Sequence, residues 1–365
     1  MALIDNLNEI KRQKDEYIIP ENIKKGVTIF DVTGTLEEGS SEYNAIIEPI
    51  IKTRYDMTTY SAPGIRYMIM ELPQSIEVDS KVITMQNMFE DCVNLKNIPP
   101  LDTSNITIMS NMFKNCYALT SVSPLNTSNV TTMSNMFNGC KTLTTIPLLD
   151  TGKVTSMQGM FQYCINLESI PLLDTNKVTD MSYMFNGCAN LTTIPPLNTS
   201  NVTAINTIFQ NCIKLTTIPL LDTSKITNMS YMFSCCTKLE SIPLLDTSNV
   251  TNMRDTFNEC KSLTAIPLLD TGKVTNMSYM FSHCTSLTTL PLLNTSSVTN
   301  MQSMFYCPNL TDESLNNILA MCINATKIVS NKTLRYIGLT QEQATTCQSL
   351  SNYADFIAAG WTTGY

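Results

Sequence analysis

Thirteen cysteines are the residues in this chain whose type most readily suggests chemistry, and nine of them recur at intervals of 24. Cys92, Cys116, Cys140, Cys164, Cys188, Cys212, Cys236, Cys260 and Cys284 invite two readings, a thiolate metal centre or a disulfide framework. A zinc site needs close ligand pairs such as CxxC, or cysteines combined with several histidines. No CxxC pair occurs, and His283 is the single histidine. Each of the nine follows a phenylalanine by three residues in an apolar setting, which predicts a small buried side chain in its reduced form. Stacked copies would bring neighbouring Cys backbones close, but parallel side chains have the wrong direction for a bridge. Cys235, beside Cys236, falls outside the pattern and is expected nearer the surface.

The other reactive types form no catalytic constellation. Asp recurs at the second position of the repeat and interchanges with Asn126, Asn198 and Asn294. Replacement by a neutral amide fits a turn that hydrogen-bonds its own backbone and weakens a calcium or acid–base role. His283 sits at a position filled elsewhere by Asn, Gly, Tyr or Glu, which predicts a solvated residue at a helix end. No P-loop, GxGxxG or HExxH is present, so no enzyme, metal or cofactor is expected. Paired threonines at positions 20 and 21 invite an ice-binding reading. Adjacent residues of a strand point to opposite sides, which argues against it.

What positions these residues is a repeat. Copies begin at Leu101, Leu125, Leu149, Leu173, Leu197, Leu221, Leu245, Leu269 and Leu293, after a divergent first copy carrying Val82, Met85, Met88, Phe89, Cys92, Leu95 and Ile98. A fixed period in the twenties marks a solenoid in which each copy is one rung that packs on its neighbours. Numbering from the leading Leu, apolar residues occupy positions 1, 6, 9, 12, 13, 16, 19, 22 and 24. Positions 9, 12, 13 and 16 have helix spacing and predict a helix of about two turns. Positions 19, 22 and 24 (Leu263, Ile266, Leu268) follow LxxLxL, a short strand whose alternate residues point inward. Proline at position 23 keeps that strand short. The predicted fold class is therefore an α/β solenoid of leucine-rich-repeat type, with short parallel strands alternating with short helices and a cap at each end. The phenylalanine column Phe89, Phe113, Phe137, Phe161, Phe185, Phe209, Phe233, Phe257, Phe281 and Phe305 should run down its interior.

The chain divides into an N-terminal attachment module and linker (1–41), an N-terminal cap (42–76), ten repeats (77–310) and a C-terminal helical cap (311–365). The first module opens with an amphipathic helix carrying Leu3, Ile4, Leu7 and Ile10 and ends in a linker-like Glu37-Glu38-Gly39-Ser40-Ser41. The cap at 42–76 contains the strand-like IRYMIMELP. After Phe305 the pattern stops, and LTDESLNNILAMC reads as a helix opened by Thr311, Asp312 and Glu313. KTLRYIGL reads as one more strand, and LTQEQATTC as a second helix with a capping box from Thr340 to Gln343.

Charged residues make up 15%, so Thr, Ser and Asn must supply the solubilising surface. A net charge of −8 without a basic run argues against nucleic acid or an anionic membrane as partner. No stretch reaches the length of a membrane span, and MALIDNLNEIKRQKDEY lacks the apolar core of a secretory signal.

The units DTSNVTNM, VTNMSYMFSHCTSLTTL and VTTMSNMFNGCKTLTTI resemble those of the BspA-like leucine-rich-repeat surface proteins. That resemblance implies a solenoid displayed on a surface, binding host or matrix proteins in adhesion. ENIKKGVTIFDVTGTLEEGS is similar to a short module of bacteriophage tail-associated proteins, and AAGWTTGY looks like the end of repeat proteins from such settings. These imply a virion component mounted through residues 1–41. The expected partner is a cell-surface protein or glycan. Its contacts should lie where the copies differ, at Tyr163, Asn166, Glu168, Lys214, Lys238, Glu240 and Lys261.

Overall fold

The computed structural model describes Val78 and residues 80–365, together with a short antiparallel pair, β1 (Thr28–Ile29) and β2 (Val32–Thr33). The amphipathic helix expected before Pro20, the linker and the IRYMIMELP strand lie outside the described residues.

The repeats stack as parallel rungs. Bridges join position 8 of successive copies in two runs, from Thr84–Ile108 through Asp180–Ala204 and from Asn228–Asn252 through Asn276–Asn300. β3 (Asn97–Ile98) pairs in parallel with β4 (Ser121–Val122) at positions 21 and 22, and Ala265–Thr289 repeats that pairing near the other end. Both strands stop at position 22, next to the residue that is usually proline. The ten phenylalanines form one buried column, with neighbouring ring centroids 5.5–6.4 Å apart and planes within 17° of parallel. This spacing lies inside the favourable range for offset aromatic pairs. The Met, Cys and Leu at positions 9, 12, 16 and 19 surround the column and are almost wholly buried.

Two expectations about the rung itself need correction first. The short helices are not there: positions 9–16 form a chain of tight turns. In the copy beginning at Leu269, the N–H groups of Met280, Ser282 and Cys284 donate three residues back, to Met277, Tyr279 and Phe281. The alternate N–H groups, of Met277, Tyr279, Phe281 and His283, donate instead to carbonyls of the next rung, on Asn300, Gln302, Met304 and Tyr306. Positions 11 and 15 have positive φ in every described copy of each, as the third residue of a type II turn requires, and this excludes a helix. Such a turn chain points residues inward at i, i+3, i+4 and i+7 as a helix does. It differs in leaving half of its donors to hold the neighbouring rung, which an α-helix would spend within itself.

The second correction concerns position 24. Leu148, Leu172, Leu220, Leu244, Leu268 and Leu292 were expected to point inward and are exposed. Burial alternates from there: Leu148 exposed, Leu149 buried, Asp150 exposed, Thr151 buried. The chain is therefore extended across the copy boundary, with the buried leucine being that of position 1. The threonines at positions 20 and 21 lie on the outer surface, as expected of residues on or beside the outer strand face, but Thr144 with Thr145 and Thr216 with Thr217 are exposed together rather than pointing to opposite sides.

The C-terminal end closes the core. α1 (Asp312–Asn324) is capped by Thr311, whose side chain accepts from the Ser314 N–H. α2 (Gln341–Cys347) carries the full capping box of Thr340 and Gln343, and α3 (Tyr353–Ala358) follows. KTLRYIGL is a run of turns rather than a strand, bridged only at Thr333–Thr362. Its Tyr336 and Ile337 carbonyls accept from Ser303 and Phe305, so it replaces the missing next rung. Leu334, Ile337, Phe356 and Trp361 are buried there.

Candidate ligand-binding surface

Each extended boundary segment exposes position 24 and, two residues on, position 2. A run of such segments therefore sets two parallel columns on one face, about 6.5–7 Å apart. The first is Leu148, Leu172, Leu220, Leu244, Leu268 and Leu292, each 53–75% exposed, with Pro196 in register among them. The second holds Asp102, Asp150, Asp174, Asp222, Asp246 and Asp270, with Asn126, Asn198 and Asn294 between them. Each column residue accepts the N–H two residues ahead, as Asp150 does from Gly152 at 3.1 Å and Asn294 from Ser296 at 3.0 Å. The turn role expected from Asp/Asn interchange is what the geometry displays. The Ser104 amide and hydroxyl hold the Asp102 carboxyl below its ordinary range. At Asp222 and Asp246 the hydroxyl and then the amide of Ser224 and Ser248 do the same. These carboxylates therefore keep their charge to lower pH than an ordinary aspartate does.

Beneath this face the rungs are clipped together by side chains whose role the sequence did not reveal. Thr at position 3 is buried, and at Thr103, Thr175, Thr223, Thr247 and Thr271 it donates to the carbonyl of position 2 in the next copy, at 2.7 Å for Thr223 to Asp246 and Thr247 to Asp270. The hydroxyls of Thr127, Thr151 and Thr199, by contrast, are buried without a hydrogen-bond partner. On the other side of the core the Cys column donates S–H to the Phe carbonyl of the preceding rung, at 3.0 Å for Cys188 to Phe161 and Cys236 to Phe209. None of the thirteen cysteines is in a disulfide, and burial raises the Cys164 thiol to about 12. Cys235 is half-buried, as its departure from the column suggests.

The residues expected to make contacts divide into two groups. Tyr163, Asn166 and Glu168 share one copy. Tyr163 is exposed with φ +59°, its ring lying where a side chain on Gly187 would sit, and Asn166 accepts from Asn190 at 3.1 Å. Lys214, Lys238, Glu240 and Lys261 lie on three successive copies further along, all exposed, and Lys261 pairs with Glu259 at 3.2 Å. The structure thus brings no single pocket around them. His283 is exposed as expected but lies in a left-handed turn, with Nδ1 2.9 Å from Ser282 Oγ and its ring 4.7 Å from that of Tyr306.

The turn face carries two further features. Amides at position 14 form a ladder from Asn138 to Gln162, Asn186 and Gln210, with bonds of 2.8–3.1 Å. Arg254 lies between the rings of Tyr231 and Tyr279, 5.8 Å from each centroid, and its Nε donates to Asp255 at 3.0 Å. The replacement of the Ser-Tyr-Met of both flanking copies by Arg254-Asp255-Thr256 was the available signal for that cluster. Among the described residues no group of His, Cys, Asp or Glu could hold a metal ion, and no helix is long and apolar enough to cross a membrane. A shallow depression is lined by Gln302, Ser303, Asn331, Thr333, Arg335 and Tyr336.

Comparison with solved structures finds leucine-rich-repeat proteins. A leucine-rich repeat protein from Bacteroides ovatus is 19% identical with a TM-score of 0.32, covering 63% of this chain and 73% of that one. A leucine rich cell surface protein from Faecalibacterium prausnitzii is 18% identical with a TM-score of 0.32, covering 79% and 88%. An internalin from Listeria monocytogenes is 14% identical with a TM-score of 0.25, covering 76% and 85%. No curated protein matches the chain. A family profile described as "Mycoplasma protein of unknown function, DUF285" matches residues 83–191, 155–263 and 214–318, together well over half of the chain. The rungs that build this surface are the matched units, and the chain belongs to the DUF285 family.

Proposed function

We propose that this is a non-enzymatic recognition and adhesion protein that binds a cell-surface protein or glycan through its repeat solenoid, as a phage tail-associated or receptor-binding component. The observation that carries the reading is the exposed leucine column. A monomeric soluble surface rarely keeps a contiguous apolar patch beyond a few hundred Å² unless something covers it. Here six leucines, each more than half exposed, stand in register on backbone clipped from rung to rung. Such a face is preorganised, so association costs little ordering of the protein. The same observation favours a protein over a glycan as the main partner. The resemblance of residues 21–40 to a tail-associated module supports mounting through residues 1–41. The second reading, a bacterial cell-surface adhesin of the same fold, is supported by the resemblance of DTSNVTNM to surface-displayed repeats.

The test is binding of the labelled full-length chain to candidate host cells, beside the triple variant Leu220→Asn, Leu244→Asn, Leu268→Asn. The expected result is loss of cell binding with an unchanged melting temperature, since these side chains are exposed. Undiminished binding by the triple variant sinks the reading. Deleting residues 1–41 then separates the two settings: absence of the protein from purified phage particles, with cell binding retained, favours the tail role.

A further inference from the structure

We infer that the leucine and aspartate columns together seat a basic amphipathic helix of a partner protein. This rests on the recognition reading above and names the kind of partner that fits it.

The argument begins with dimensions. The leucine column from Leu148 to Leu292 spans seven copies, roughly 29 Å at ~4.8 Å per rung. An α-helix of about 20 residues has that length, and its pitch of ~5.4 Å brings one turn close to each rung. With side chains a helix is ~10–12 Å across, wide enough to cover a leucine column and a second column about 6.5–7 Å to its side. One helix lying along the solenoid therefore contacts both. Its apolar stripe, at i, i+3, i+4 and i+7, would rest on the leucines.

Charge decides what flanks that stripe. On one side of the leucines stands the position-2 column, with carboxylates at Asp150, Asp174, Asp222, Asp246 and Asp270 along the apolar stretch. Position 20, four residues before the leucines and also exposed, carries Glu168 and Glu240, with neutral Thr elsewhere along that stretch. Lysines stand beyond the aspartates at position 5, as Lys153, Lys177, Lys225 and Lys273, and at position 18 as Lys214 and Lys238, two residues before position 20. Three of those at position 5 reach along the stack to an asparagine of the preceding copy, at 2.7–3.0 Å for Lys153 to Asn129, Lys225 to Asn201 and Lys273 to Asn249. An apolar stripe edged by carboxylates favours a partner whose apolar residues are edged by Lys or Arg. It disfavours a second copy of this chain. Two such faces packed antiparallel would set aspartate column against aspartate column, and the chain as a whole carries −8.

The test uses the full-length chain and three fluorescent 21-residue peptides, read by anisotropy. The first places Leu at helical i, i+3, i+4, i+7 positions and Lys elsewhere. The second replaces every Lys by Glu, and the third scrambles the first. The Leu/Lys helix should bind at least tenfold more tightly than either other peptide. Leu220→Asn with Leu244→Asn should weaken it at least tenfold. Asp222→Asn with Asp246→Asn should weaken it several-fold and flatten its salt dependence, and Val329→Ser, an exposed change in the C-terminal cap, should leave it unchanged. Equal binding of the Lys and Glu peptides, or of the scrambled one, overturns the inference. So does concentration-dependent self-association of the chain that the leucine variant abolishes. If cell binding depends on the leucines while no helical peptide binds, the helix inference falls and the recognition reading stands. If the leucine variant still binds cells, the recognition reading falls with it.

Discussion

The Cys188 thiol donates to the Phe161 carbonyl oxygen of the rung before it at 3.0 Å, and the same bond recurs up the stack, as in Cys212 to Phe185 at 3.1 Å. The side chain beside the aromatic column is thus also the clip between one turn chain and the next. That explains a small residue with a weak donor at a wholly buried position better than packing alone.

Replacing Cys188 by Ala should therefore cost ~1–2 kcal/mol, combining a small cavity with a lost bond to a buried carbonyl. Cys188→Ser retains a donor and should cost less than Cys188→Val, whose extra bulk meets a close-packed column and which donates nothing. Urea unfolding of the full chain reads all three. Equal stability of the Ala variant and the parent would show that the thiol bond contributes nothing.

Alkaline pH should loosen the stack. Burial raises the thiols of Cys164 and Cys347 to about 12 and pushes those of Cys188 and Cys236 well up, whereas an unfolded thiol ionises near ~8.5. With the folded value above the unfolded one, the unfolded chain loses its protons first as pH rises. Stability is then full below about pH 8.5 and falls from there toward pH 12. Melting temperatures measured from pH 7 to 11 should decline steadily above 8.5. A flat profile would contradict the buried thiols.

The turn positions make opposite predictions at two sites. Thr207 is β-branched yet holds φ +64°, a conformation that costs ~1–2 kcal/mol for an ordinary residue and that Asn tolerates more readily. Thr207→Asn should raise the melting temperature. Gly187 has φ +77°, and a Cβ there would lie 2.6 Å from the Tyr163 ring. Gly187→Ala should lower the melting temperature, and Gly187→Ala combined with Tyr163→Ser should recover only the steric part.

Phe209 sits mid-column between Phe185 and Phe233, at centroid distances of 5.8 Å to each. Phe209→Ala should cost ~3–5 kcal/mol, felt chiefly by adjacent rungs because each rung packs only on its neighbours. Hydrogen exchange should accelerate first at the Phe185 and Phe233 amides, which bond to the carbonyls of Ile208 and Thr256, and last near α1. Uniform acceleration along the chain would argue against rung-by-rung packing.

Much of this architecture is legible in the sequence, and the reason is the repetition itself. A 24-residue unit with Met, Phe, Cys and Leu at fixed positions has one way to bury them together, by stacking in register. The stack and its phenylalanine column, the reduced thiol column, the Asp/Asn turns and the caps on α1 and α2 follow from spacing and side-chain type. Two things do not. An i, i+3, i+4, i+7 stripe is compatible both with a helix and with the turn chain at Met277–Cys284, and only the carbonyls offered by the next rung decide between them. Two leucines in succession, as Leu148-Leu149, present one residue to each side of an extended chain, and spacing alone does not say which side is inside. The tertiary structure turns the first outward. Position 1 must lie over the core for the buried threonine at position 3 to reach the next rung, and period-two geometry then leaves position 24 and position 2 facing solvent side by side.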